Sequence, residues 1–267
     1  MTAGPGDPFL VPADARRVVV AADRLARWLE GFAARHEGMV AAADPTGAVV
    51  TLAGGDGAAA WLEVPFPPLA ADAPTVDDLG KSASHLRESR DHDAGPGGGP
   101  DAESGAEPDT GRDGVAGDAD LLGSLVAHVA RRRRVGVLLV RRGGHAAGVF
   151  DGDTLVSSKV GSAYVQGATK AGGWSQQRFA RRRDNQARAA FAEAADTAAR
   201  ILLPERALEH LVCGGDRAAI AAVLADPRLA PLAPLRTGPL LAVPDPRLRV
   251  LQDTPRQFRA VRIALLP

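Results

Sequence analysis

The 267-residue sequence has a single cysteine, Cys213, so it has no second thiol for an internal disulfide and too few for a cysteine-based zinc site. The expected place of Cys213 is a buried strand. The six histidines, His36, His85, His92, His128, His145 and His210, show no metal-ligand spacing, and spacing locates no Ser-His-Asp set. There is no Gly-x-x-x-x-Gly-Lys-Ser/Thr run, so despite thirty glycines no such phosphate cradle forms. No metal and no cofactor is expected. No apolar run approaches the roughly 18 residues that cross a bilayer. Residues 1–12 lack both the basic and the apolar region of a secretion signal. A cytoplasmic protein without membrane contact follows as the expectation. Apolar residues make up 45% of the chain, enough for one good-sized core or two small ones, since domains run to roughly 100–200 residues.

The formal net charge is zero, which alone argues against a nucleic-acid partner, but the average hides an asymmetry. Residues 91–120 carry nine acids against Arg112 alone, a net −8. Residues 131–200 carry fourteen bases against five acids, a net +9. Such segregation points to a polyanion partner for the basic part. The plain alternative is a solvated, arginine-heavy surface.

Periodicity supplies the elements. A short strand at 17–21 precedes a helix that Asp23 could cap, with Leu25, Trp28, Leu29 and Phe32 on one face. Runs at 48–53 and 58–64, joined by Gly54-Gly55-Asp56-Gly57, read as a hairpin. Trp28, Phe32, Trp61 and Phe66 lie on apolar faces and are expected to pack in a core. Residues 70–117 are rich in Gly, Pro, Asp, Ser and Glu and nearly empty of large apolar side chains, the composition of a flexible acidic linker. A helix at 119–130 leads to three strands at 134–140, 145–150 and 153–160, an antiparallel meander with glycine turns. A glycine-rich loop follows at 161–174. A long helix then starts near Ser175 and closes before Pro204, with Phe191, Ala194, Ala198, Ile201 and Leu202 on its buried side. Residues 207–213 read as a strand, 217–225 as a short helix, and 240–266 as proline-punctuated strand segments. The expected architecture is α/β (α+β), a mixed sheet with flanking helices of the broad ribonuclease-H-like kind. Its domains are a small N-terminal α/β region at 1–69, the linker at 70–117 and a main domain at 118–267.

The most informative text runs from Lys159 to Arg188: a strand end, a glycine-rich loop and a helix whose first turns are strongly basic. Helix N-termini already present free N–H groups and partial positive charge, so arginines there strengthen an anion site. Phosphate is the obvious anion, and Lys159, Lys170, Arg178, Arg181, Arg182, Arg183 and Arg188 are the candidate nucleic-acid contacts. Arg181, Arg182 and Arg183 stand about 100° apart around the helix, so one face cannot hold all three. Loops this long and glycine-rich are usually functional or disordered; the plain alternative is an ordinary strand-to-helix connection.

The run 161–186 resembles the Vms-like release-factor (VLRF) family in its actinobacterial-type peptidyl-tRNA hydrolase branch, relatives of the central domain of eukaryotic termination factors. The resemblance is most specific over 131–201, and Trp61-Leu62-Glu63-Val64-Pro65-Phe66-Pro67-Pro68 also looks like that branch. It implies a release-factor core, hydrolysis of the ester between nascent peptide and tRNA in ribosome-associated quality control, and as partners peptidyl-tRNA and the large ribosomal subunit with its rRNA. The protein would act as a monomer. The family's Gly-x-x-Gln places a glutamine at the tip of a loop inserted into the peptidyl-transferase centre. Here the match is Gly161 to Gln166-Gly167, with two more residues between glycine and glutamine, and implies Gln166, Gly161 and Gly167 as the catalytic set. Gly172-Gly173-Trp174-Ser175-Gln176-Gln177 echoes a Gly-Gly-x-x-Gln pattern and leaves Gln176 and Gln177 as alternatives.

Two other functions fit some of the same residues. A metal-dependent nuclease would need carboxylates on strand ends, for which Asp151, Asp153 and Asp216 are the candidates; Asp151 and Asp153 flank a glycine turn, where Asp is common for conformational reasons. Metal-independent cleavage at the tRNA 3′ end uses the same loop. A ribosome- or tRNA-binding module without catalysis accounts equally well for the basic helix.

Overall fold

The computed structural model describes residues 10–69, 112–141, 144–162 and 175–266, with the backbone alone for 112–119 and 175–184. Two units result, Met1–Ala130 with Val261–Pro267, and Arg131–Ala260.

The first unit is built on an antiparallel sheet of β1 (Arg16–Val20), β2 (Met39–Ala43), β3 (Val49–Gly54), β4 (Ala59–Glu63) and the chain's last strand, β9 (Val261–Leu266), in the order β1-β9-β4-β3-β2. Helix α1 (Leu25–Arg35) buries Leu25, Leu29 and Phe32 of the stripe read from the sequence, with Trp28 partly buried against the same core. Asp23 does not cap it. Asp23 lies in a 3-10 turn, Ala22–Arg24, and the cap position falls to Arg24, which makes no side-chain cap bond. Helix α2 (Arg112–Ala130) places Leu125 and Val129 in the same core as Val50, Leu52, Leu62 and Ile263.

Two expectations about this stretch are corrected. The second helix begins at Arg112, seven residues before the expected start and inside the stretch read as linker. Once an apolar stripe has nucleated a helix, each added residue gains a hydrogen bond, so propagation runs back through poor helix formers such as Gly114 and Gly117. The rest of the linker, 70–111, lies outside the described residues. The interval 118–267 also does not form one unit, because its last strand joins the N-terminal sheet and its first helix belongs to the same unit. Strand partners follow complementary registers rather than sequence proximity, and Leu62 stands opposite Ile263.

The second unit holds the meander, β5 (Arg134–Arg141), β6 (Gly144–Asp151) and β7 (Thr154–Ser162), and a fourth strand, β8 (His210–Gly215). The order is β7-β6-β5-β8, with β8 parallel to β5 and the other pairs antiparallel, a mixed sheet as expected. Val135–Val140 is an unbroken apolar run except for Gly136, and all six residues are buried, as a strand covered on both faces requires. Helix α3 (Ser175–Leu202), with the bounds that the sequence indicated, covers one face through Ala194, Ala195, Ala198 and Leu202. Helix α4 (Arg217–Leu224) adds Ile220 and Val223 to that core. Against the other face lie α5 (Leu248–Gln252) and α6 (Pro255–Phe258); Phe258 meets Phe150 edge-on at 5.7 Å, and Leu251 fills the space that a side chain at Gly148 would need. The tail was expected to be strand segments, but only β9 is a strand. Pro255 opens α6 at a position where the missing N–H costs nothing, so proline there starts a helix. Cys213 is buried in β8 as expected, and burial pushes its thiol up to about 11.

Candidate nucleic-acid interface

Among the described candidates, Gly161 lies at one end of the second sheet. There β5 and β8 end side by side, β6 begins, and β7 ends with Ser162 opposite Gly144. From that end the chain leaves at Ser162 and rejoins the described structure at Ser175, the first residue of α3. Helix α3 runs back along the sheet: Thr197 reaches His145, the second residue of β6, while Leu202 reaches Gly136 near the far end of β5. Among its described side chains, Phe191 is the first apolar one packed on the core. The sixteen residues from Ser175 to Ala190 span about 24 Å of helix ahead of Phe191, at the rise of about 1.5 Å per residue.

That leading half carries the basic text. Gln176, Gln177, Arg178, Arg181, Arg182 and Arg183 lie in the first three turns, where the backbone is helical. Gln176 and Gln177 are the second and third residues of the helix, among those whose N–H groups lack an intrahelical acceptor. Arg188 is exposed further along the same helix. Lys159 is exposed on β7, two residues before Gly161 and so on the same face of the sheet. Gln166, Gly167 and Lys170 lie outside the described residues.

Part of the charge counted along the sequence is neutralised in space. Arg131 pairs with Glu209 at 2.9 Å, Arg132 with Asp151 at 2.9 Å and Arg134 with Glu205 at 3.4 Å. Arg141 donates to the Val243 carbonyl at 2.8 Å and faces Asp245. Three of these acids, Glu205, Glu209 and Asp245, lie beyond residue 200, where a segment count cannot see them. Arg133 is buried, and burial, with Arg131 beside it and Glu209 acting the other way, lowers it to about 10. It stays charged at neutral pH. This run ties β5 to its neighbours, whereas Arg178 to Arg188 stand on the leading half of α3.

Of the three nuclease candidates, Asp216 lies apart from Asp151 and Asp153, and Asp153 faces Arg259 at 3.9 Å. Asp151 ends β6 opposite Arg134 and is held by Arg132, whose hydrogen bond keeps its carboxyl below the usual range. Asp216 caps α4, accepting from Ala218 N–H at 3.0 Å, and its own N–H donates to Val140 O at the opposite end of β5. Arg134 and Val140 are six residues apart along one strand, about 20 Å. Among the described residues no group of three or more His, Cys, Asp or Glu side chains could hold a metal ion.

Sequence spacing gave His145 no role. The structure buries it almost completely, with Nε2 3.1 Å from the Thr197 hydroxyl on α3. Its register partner is Gly161, and a Cβ there would lie 2.3 Å from both Cε1 and Nε2 of the ring. Position 161 thus requires glycine because an imidazole lies over it. Burial holds the His145 pKa below the ordinary histidine value, with Glu193 on α3 pulling the other way. The unfolded chain therefore binds this proton more readily, so its neutral form favours the fold above the unfolded pKa near 6.5. Stability is expected to fall as pH drops from there through the lower folded pKa. Urea unfolding at pH 7.5 and 5.5 should show that loss, and His145→Gln should show a smaller one.

Residues 133–264 match the family model described as the Actinobacteria/chloroflexi VLRF1 release factor. Among solved structures, an archaeal translation termination factor, aRF1, aligns at 17% identity with a TM-score of 0.34, covering 44% of this chain and 32% of its own. An archaeal protein aligns at 17% identity with a TM-score of 0.33, covering 89% of this chain and 70% of its own. The chain thus spans about a third of the termination factor's length. No curated protein matches the sequence. Over residues 133–264, just under half of its length, the chain is thus similar to the VLRF1 release factors of Actinobacteria and Chloroflexi.

Proposed function

We propose that this protein is a peptidyl-tRNA hydrolase that frees nascent peptide from tRNA on stalled large-subunit complexes in ribosome-associated quality control. The observation that carries the reading is the arrangement in the matched segment. A strand end and a long basic helix flank residues 163–174, the stretch that includes Gln166. The arginines of α3 hold rRNA or tRNA phosphates, and the segment they flank reaches the ester. A glutamine amide does not titrate near neutral pH, so Gln166 is no conventional general base. Its side chain orients water at the ester carbonyl and its backbone N–H stabilises the developing oxyanion, which are positioning and electrostatic effects. The complex is one monomer on a large subunit, in the cytoplasm.

The test is incubation with peptidyl-tRNA on purified large subunits, following peptide and RNA together. The expected products are free peptide and tRNA with an intact 3′ adenosine. A shortened tRNA would make the protein a nuclease, and saturable binding with neither product would make it a binding module.

A further inference from the structure

His145 is the one buried histidine of the second unit, and the peptide-release chemistry above does not use it. Its surroundings are specific. On β7 the ring lies over Gly161, next to Ser162, the last strand residue before the segment 163–174. On α3 the ring is hydrogen-bonded to Thr197, which is itself buried. One imidazole therefore touches both elements that flank the segment proposed to carry the chemistry. Ala147 and Val149, on the same face of β6, lie in an apolar core with Ala194 and Ala198 of α3. An aliphatic side chain would satisfy that packing without needing a partner. A buried polar ring instead needs a partner, and Thr197 fixes where on α3 that partner lies. Sliding α3 by one turn, about 5.4 Å, would leave the ring without it.

We propose that His145 is a positioning residue for the release reaction: seated over Gly161 and bonded to Thr197, it sets the register between the end of β7 and helix α3. It thereby sets the frame from which residues 163–174 present their glutamine. The inference rests on the reading of the chain as a peptidyl-tRNA hydrolase. A shift of about 1 Å in a reacting group costs up to about 100-fold in rate, so a looser frame shows in turnover before it shows in binding.

The experiment uses the full chain and peptidyl-tRNA on isolated large subunits. Thr197→Val keeps the shape and removes the hydroxyl, while Thr197→Ser keeps the hydroxyl and removes a methyl. Single-turnover release at saturating protein is expected to fall on the order of 10-fold or more in Thr197→Val. Thr197→Ser should restore most of it, with affinity for the complexes the same in both. Gly161→Ala drives a methyl into the ring, and His145→Ala in the same chain clears that clash; the pair should unfold at a higher temperature than Gly161→Ala alone yet release as slowly as Thr197→Val. Release by Thr197→Val at the wild-type rate, or equal losses in the Val and Ser variants, would overturn the proposal. So would a loss that follows thermal stability across the set. Absence of release by the wild-type protein would instead overturn the hydrolase reading, and this inference with it.

Discussion

Replacing Gln166 with alanine is expected to lower single-turnover peptide release by about 10²–10³-fold at saturating protein, the usual effect of removing one preorganised group that acts on the transition state. Affinity for the large-subunit complex should change little, because the phosphate contacts assigned to α3 are left in place. A fall in rate without a change in binding is the signature of an interaction made only in the transition state. Gln176→Ala and Gln177→Ala are the necessary comparisons. Both glutamines sit in the first turn of α3, and alanine there preserves the helix. If Gln166 carries the chemistry, these two variants should release within a few-fold of wild type. Loss of release in Gln176→Ala with normal release in Gln166→Ala would move the assignment to the start of the helix. The Gly172-Gly173-Trp174-Ser175-Gln176 text would then be the functional motif.

Local pattern made much of the second unit legible. The meander, the bounds of α3 and the buried stripe ending at Leu202 follow from apolar runs separated by glycine turns, a serine start and Pro204. What escaped depended on partners distant in sequence. Strand β2 is Met39-Val40-Ala41-Ala42-Ala43, with little β-branching, and it is a strand because β3 pairs with it. The proline-rich stretch Pro227–Leu235 is a 3-10 helix, and α5 and α6 are too short for periodicity to register. Strand β9 was legible as a strand, but not the sheet it joins. The site divides in the same way. Basic residues at a helix start are a local signal. The packing of Gly161 on His145 is not, because the two are paired across a register that sequence alone does not print. Gly161 consequently read as part of a loop, whereas it lies inside β7.

The contrast between charge in sequence and charge in space leads to the second large effect. Arg178, Arg181, Arg182 and Arg183 changed together to glutamine remove four positive charges from the leading half of α3 while keeping helix propensity nearly unchanged. Since the three consecutive arginines diverge by about 100° each, three simultaneous phosphate contacts is a reasonable count. Each neutralised phosphate contributes about 0.7–0.9 to the slope of log affinity against log salt. The variant's slope should therefore be shallower by about 2–3, and at 0.1 M salt its affinity for large-subunit complexes lower by about 10²-fold. Arg131→Gln with Arg132→Gln is the control. Those two belong to the same basic stretch of sequence, but Glu209 and Asp151 already neutralise them, so their removal should leave the slope almost unchanged. If both variants flatten the slope alike, RNA contacts the Arg131 end of the sheet as well, and α3 is not the main electrostatic grip. If neither does, the arginines of α3 are a solvated face, and the polyanion reading of this domain fails on its own physical ground. That outcome would leave the role of Gln166 untouched, because catalysis and affinity are assigned to different residues.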